Sequence, residues 1–428
     1  MSFQQGLSGL NGAAKSLDVI GNNVANASTV GFKQSQTQFA DMYANSMNRS
    51  GNSPVGIGVT VANVAQAFTQ GNITSTNNPL DIAINGDGFF QLAGSATDLS
   101  PLYGRNGQFE LDKDGYIINP SMNGAFLMGY AAGVTGGDPV RLQIDTSAMA
   151  ATPTTKVTTK LNLDSRVDPP TVTPFDPAQP NSYTSATGMT MYDSLGNPYS
   201  VQTYFVKNAT LPADPAATPP RATPQTTWDV YATIDGKTVG TGTPVVPTKL
   251  GSMTFDSTGS LIAAPTVTLD TTGYTKLGGT FPGTISYNFV GSTQTGSAFV
   301  PLAASQDGMA PGTLSSFSVA KDGTIVGSYS NQQTKNLGSV VLVNFANPNG
   351  LQPLGNNLYQ ATADAGVPLV GKPTTGTFGT LQARAVEDSN VDLTAELVNM
   401  IVAQRVYQAN SQTIKVQDTV LQTLVSLR

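Results

Sequence analysis

The chain has 428 residues, enough for about three packed domains, with only 11% charged residues and a formal net charge of −6. Charge this sparse and mildly acidic excludes a basic surface for nucleic acid and a polybasic membrane patch. The absence of cysteine and histidine removes thiol nucleophiles, disulfides, thiolate or imidazole metal ligands and any Ser-His-Asp triad.

Residues 1–20 are divided by Gln4, Gln5, Ser8, Asn11, Lys15 and Asp18. They predict neither a cleaved signal nor a membrane span, so passage out of the cytoplasm calls for another export route. Within them Phe3, Leu7, Leu10, Ala14, Leu17 and Val24 recur at a three-then-four spacing, with Gly21 in the remaining place. That is one stripe of a helix. It runs into NNVANASTVGFKQSQ, residues 22–36. There Asn22, Asn23 and Asn26 can satisfy backbone groups as the helix frays, and Gly31 gives the freedom for a bend. Phe32 is expected to anchor the departing chain while Lys33 stays at a polar edge. Ala25, Ala27 and Ser28 are small enough for close helix packing.

The centre reads as β-structure. In PLDIAINGDGFFQLAG, Leu80, Ile82 and Ile84 precede an Asn85-Gly86 turn and the strand formers Phe89 and Phe90. FELDKDGYII, MTFDSTGSLI and FSVAKDGTIV each run from a Phe-led strand through a polar Gly turn into a second strand, predicting three hairpins. Asp112-Lys113-Asp114-Gly115 lacks the spacing and final glutamate of an EF-hand, so the turn itself accounts for its aspartates. TWDVYATIDG places Trp228, Val230, Ala232 and Ile234 on one side of a strand. DPPTVTPFDPAQPNS and NATLPADPAATPPRATPQ are expected as exposed excursions, because proline cannot donate to a central ladder. A β-domain over 154–284 is the simplest division, inserted into an inner β-domain built from 79–153 and 285–358.

At the other end Ser389 or Asp392 can cap a helix running to about Ser426, with no glycine or proline inside it. Leu393, Leu397, Met400, Tyr407, Ile414, Leu421 and Val425 lie on one heptad-like line interrupted by Gln404, Ser411 and Asp418, and Val398, Val402, Ala409, Thr413, Val416, Val420 and Leu427 on a second. One partner helix covers one line, not both, which favours packing among several chains over a two-stranded zipper. Glu396 and Arg405 are expected at a lumen or groove, and Lys415 with Asp418 as an i,i+3 pair. Asp112 with Asp114, and Glu387 with Asp388, are adjacent carboxylates without evident acid–base geometry. No catalytic residue, cofactor or metal is expected.

GLSGLNGAAKSLDVIGNNVANASTVGFKQSQTQFADMY, QGNITSTNNPLDIAINGDGFFQLAG, YGRNGQFELDKDGYIINPSMNGAFLMGY and EDSNVDLTAELVNMIVAQRVYQANSQTIKVQDTVLQTLVSLR closely resemble the bacterial flagellar hook protein. The two ends are shared by the wider flagellar axial rod and hook family. The resemblance implies a mixed fold: long N- and C-terminal α-helices forming a coiled-coil-like inner domain, with nested, mainly β outer domains. It divides the chain into an inner-tube helix (1–30), a connecting segment (31–78), the β-domains above, a second connecting segment (359–388) and a second inner-tube helix (389–428). It implies a subunit that self-assembles into a curved hollow helical polymer, a flexible universal joint transmitting torque from rod to filament, or alternatively a distal rod component. The helix lines starting at Phe3 and at Leu393 would then be assembly interface, as would Ala27, and Asn26, Gly31 and Phe32 would form the domain-exit turn. The implied partners are further copies, the distal rod, hook cap and hook–filament junction proteins and the flagellar export apparatus, without nucleic acid or membrane insertion. The implied place is the extracellular hook, reached without a cleaved signal peptide.

Overall fold

Two long helices stand at the ends of the chain, and among the described residues the elements between them are β-strands and short 3-10 turns. The computed structural model describes residues 2–42, 56, 58–94, 100–134, 136–216, 221, 223–241, 246–263 and 267–426. Helix α1 spans Ser2–Ala25. Helix α2 spans Leu393–Ser426, about 51 Å at the standard rise. Asp392 is the residue that caps α2: its Oδ1 accepts from the Thr394 and Ala395 amides at 2.8 and 3.2 Å. The chain forms two compact units, 1–146 with 315–328 and 334–428, and 147–314 with 329–333.

In the first unit, both helices accompany an antiparallel hairpin of Ser35–Met42 with Gly58–Gln66, inside what the sequence suggested was only a connecting segment. The large sheet of this unit runs through Thr334–Val340, Ala125–Ala131, Phe89–Ala93, Pro101–Gly104, Leu358–Ala361 and Leu351–Gly355. Phe89, Tyr103, Val343, Phe345 and Tyr359 fill one core against Phe68. Their rings meet edge-on, as in Tyr103–Phe345 at 4.8 Å between centroids.

The second unit contains a five-stranded sheet centred on Lys156–Asp164 and a six-stranded sheet centred on Pro198–Lys207 and Thr226–Ile234. Side chains from both sheets join in one cluster around Val157, Leu161, Phe205, Trp228, Met253 and Ile285, so the unit is a sandwich. Trp228, Val230, Ala232 and Ile234 all face this core. Thr284–Asn288 and Thr293–Thr295 pair in parallel with Lys156–Asp164, and Val300–Gln306 pairs antiparallel to it. Residues 285–306, assigned from sequence to the inner β-domain, therefore belong to the inserted one.

The Pro-rich excursion at 168–182 is not wholly exposed. Phe175 is buried, stacked on Tyr231 at 4.4 Å and set against Tyr183 and Tyr204. The turn aspartates serve the backbone: Asp112 Oδ1 accepts from the Asp114 and Tyr116 amides, and Asp256 Oδ1 from those of Thr258 and Ser260.

Candidate assembly interface

Helices α1 and α2 pack antiparallel within the chain, through a face of α1 that carries almost no large side chain. A Cβ at Gly6 would stand 3.2 Å from Ile414 Cγ1, and one at Gly9 2.8 Å from the Asn410 amide. Gly6, Gly9, Ala13, Ser16, Ile20 and Asn23 repeat at a three-then-four spacing one residue out of step with Phe3, Leu7 and Leu10. One residue is 100° of helical rotation. The small side chains let the axes approach, while the larger apolar stripe turns away. Beside this seam Ala13, Ile20, Phe39, Val59, Val402 and Val406 line a groove of about 480 Å³.

Glu396, expected at a lumen or groove, lines this groove and is itself buried. Its carboxylate accepts from Gln34 Nε2 at 2.7 Å and Asn23 Nδ2 at 3.2 Å. Asn23 also exchanges two hydrogen bonds with the Ser35 backbone, at 2.8 and 2.9 Å, acting as a one-residue extension of the strand. Asn26 behaves as a local helix stop, with Nδ2 donating to the Asn22 carbonyl and Oδ1 accepting from Thr29. Asp418 accepts from Gln422 Nε2 rather than pairing with Lys415.

Gly31 has φ +71°, and a Cβ there would lie 2.6 Å from the Asn106 amide nitrogen, so both conformation and space require glycine. Of the next two residues, it is Lys33 that departs from its expected place. Phe32 is half-buried, lining a groove of about 940 Å³ with Asn22, Asn26, Asn356, Asn357 and Tyr359. Lys33 is fully buried. Its ammonium donates to Glu387 Oε1 at 2.6 Å and the Thr69 carbonyl at 2.8 Å. Arg105 Nη1 donates to the other Glu387 oxygen at 3.2 Å, and Nη2 to the Gly86 carbonyl at 3.0 Å. Burial pulls the Lys33 ammonium below its ordinary pKa, with Glu387 opposing the shift and Arg105 adding to it. Glu387, considered from sequence only as half of a carboxylate pair with Asp388, is the centre of a buried ion triad.

The nominated helix residues lie on both covered and open surface. Phe3, Leu7, Leu393, Leu397, Tyr407 and Leu421 are exposed, while Leu10, Ala14, Leu17, Val24, Ala27, Met400 and Ile414 are half-buried. Val425 lies in the helix, but its side chain, like Leu427, falls outside the described residues. The second line of α2 is more open still, with Val398, Val402, Val416 and Val420 each 49% exposed or more. Close packing does not fall at Ala25 and Ser28, which are exposed, but at Gly6 and Gly9. The small-residue spacing was the available signal. Among the described residues no helix is long and apolar enough to cross a membrane.

Four family models tile the chain: Flagella basal body rod protein over 3–33, Flagellar hook protein FlgE/F/G D1 domain over 83–158, Flagellar basal body protein FlaE D2 domain over 162–309, and Flagellar basal body rod FlgEFG protein C-terminal over 382–427. Helical ends around β-rich units, matched in this order, are those of the axial proteins of the flagellar basal body and hook. The flagellar hook proteins FlgE of Escherichia coli K12 and Salmonella typhimurium LT2 are each 43% identical to the chain over the full length of both partners. That of Borreliella burgdorferi is 30% identical, covering all of this chain and 99% of its own. The chain belongs to the flagellar hook protein family. The crystal structure of Helicobacter pylori flagellar hook protein FlgE2 shares the fold, with a TM-score of 0.54 over 73% of this chain and all of the other at 15% identity.

Proposed function

We propose that this hook subunit polymerises through its terminal helices into a curved hollow tube that works as a flexible universal joint, with no catalytic role. The observation that carries this reading is the open surface of α2. Over 34 residues the helix buries only Glu396 and Ala403 among its described side chains, while Leu397, Val398, Ile401, Val402, Val406 and Val416 stand exposed. An apolar surface this extended marks a contact with other protein. Its two lines cannot both face one neighbour, so several copies surround each helix. Heterologous contacts repeated with a rotation and a rise give an open helical polymer rather than a closed ring.

The helices supply the coiled-coil-like inner layer and the β-units the outer contacts that exchange as the tube bends. At its ends the polymer meets the distal rod, the hook cap and the hook–filament junction proteins. The subunit reaches this place outside the cell through the flagellar export apparatus, without loss of a leader. Electron cryomicroscopy of polymer grown from the purified chain is the test. Curved tubes with α1 and α2 innermost are expected; straight rods would indicate a stiff shaft, and absence of polymer would end the proposal.

A further inference from the structure

Three segments run where the two helices and their hairpin adjoin the large sheet of the first unit: the loop 26–34 between α1 and the hairpin, and the two crossings at 67–73 and 384–392; all three meet at one side chain. Glu387 belongs to the third segment. Its Oε1 accepts from Lys33 on the first, at 2.6 Å, and from the Gly71 amide on the second, at 2.9 Å. Its Oε2 accepts from Arg105 of the β-unit at 3.2 Å. The backbone repeats the arrangement: the Gly31 amide donates to the Glu387 carbonyl at 2.7 Å, and Ile73 pairs with Glu387 in a short ladder.

We propose that the Lys33–Glu387–Arg105 triad is a positioning lock, which fixes the direction in which the helices leave the β-unit and serves specificity of geometry rather than stability. A buried ion cluster is a poor source of stability, because desolvation offsets the attraction and apolar side chains of similar volume often do as well. Here Arg105 Nε is buried and without a hydrogen-bond partner among the described residues, a further cost. The triad supplies directionality instead. A carboxylate held by an ammonium, a guanidinium and an amide has one satisfying placement, whereas apolar groups in the same space could slide past each other. In a polymer this angle is repeated in every copy, and that last step alone rests on the function proposed above.

The chain has no cysteine, so Asn11→Cys and Lys113→Cys, both at exposed positions, give a clean spin-label pair across the joint. Distance distributions are measured by pulsed electron spin resonance on the isolated chain, with the melting temperature alongside. The parent is expected to give one narrow distribution. The apolar triple variant K33M/R105M/E387M is expected to melt within a few degrees of the parent while its distribution widens at least twofold. Glu387→Asp, which keeps the charge but shortens its reach, is expected to widen it as well. Parental width in either variant, a broad distribution in the parent, or a triple variant melting more than about 10 °C below the parent overturns the proposal. A parent with a narrow distribution that fails to elongate seeds counts against the polymer and leaves the lock standing.

Discussion

Tyr359 shows what a single buried group imposes. Its phenol is pushed up to about 12 from 10.0, chiefly by burial, with the Gln66 hydrogen bond and Arg105 pulling the other way. A raised acid pKa leaves stability whole below pH 10 and removes it as pH climbs through the folded-state value. A shift of two units corresponds to about 2.7 kcal/mol. The loss falls between pH 10 and 12, and urea titrations across that range should show a steeper decline for the parent than for Tyr359→Phe. At Gly31, alanine should cost roughly 1–2 kcal/mol for the left-handed conformation alone, and more for the approach to Asn106, read from the same titrations. The glycine was legible in the sequence; the clash that makes it obligatory was not. Lys33 beside it shows the limit, because a lone lysine next to a bend belongs on the surface unless a carboxylate more than 350 residues away along the chain is folded against it.

At the level of elements, the helix faces divide the work. Valine at Gly9 would press on the Asn410 amide and separate the two helices. Hydrogen exchange over residues 400–415 should then accelerate in the isolated chain, while the second β-unit keeps its melting temperature, since distant sites act independently. A charge on the open face should do the reverse. Leu397→Asp and Leu421→Asp remove exposed apolar groups, so folding stability should stay within about 0.5 kcal/mol. Seeded elongation, followed by light scattering, should fall at least tenfold; unchanged elongation would remove these residues from the interface. Periodicity found the helices and the large apolar stripe, and left the cap of α2 between Ser389 and Asp392. It did not show that the small-residue stripe makes the contact within the chain, because a hydrophobic pattern registers size and apolarity, whereas axis-to-axis approach depends on their absence.

For the whole molecule, the second unit carries its own two-sheet core, as an independent domain does. A fragment of residues 147–314 should fold cooperatively by near-ultraviolet circular dichroism of buried Trp228 and fail to polymerise. A fragment without cooperative melting would mean that its sheets depend on the first unit. The sequence by itself determined the helical ends, the hairpins with their Asp-Gly turns, the Trp228 strand face and the family, because each is written in local spacing or in a contiguous motif. Only the tertiary structure decided that residues 285–306 complete the inserted sandwich, that Phe175 pins a Pro-rich excursion, and that Lys33, Arg105 and Glu387 meet. Those outcomes depend on strand pairing and charge burial between segments far apart in the chain, and local patterning carries no information about which distant partner closes the contact.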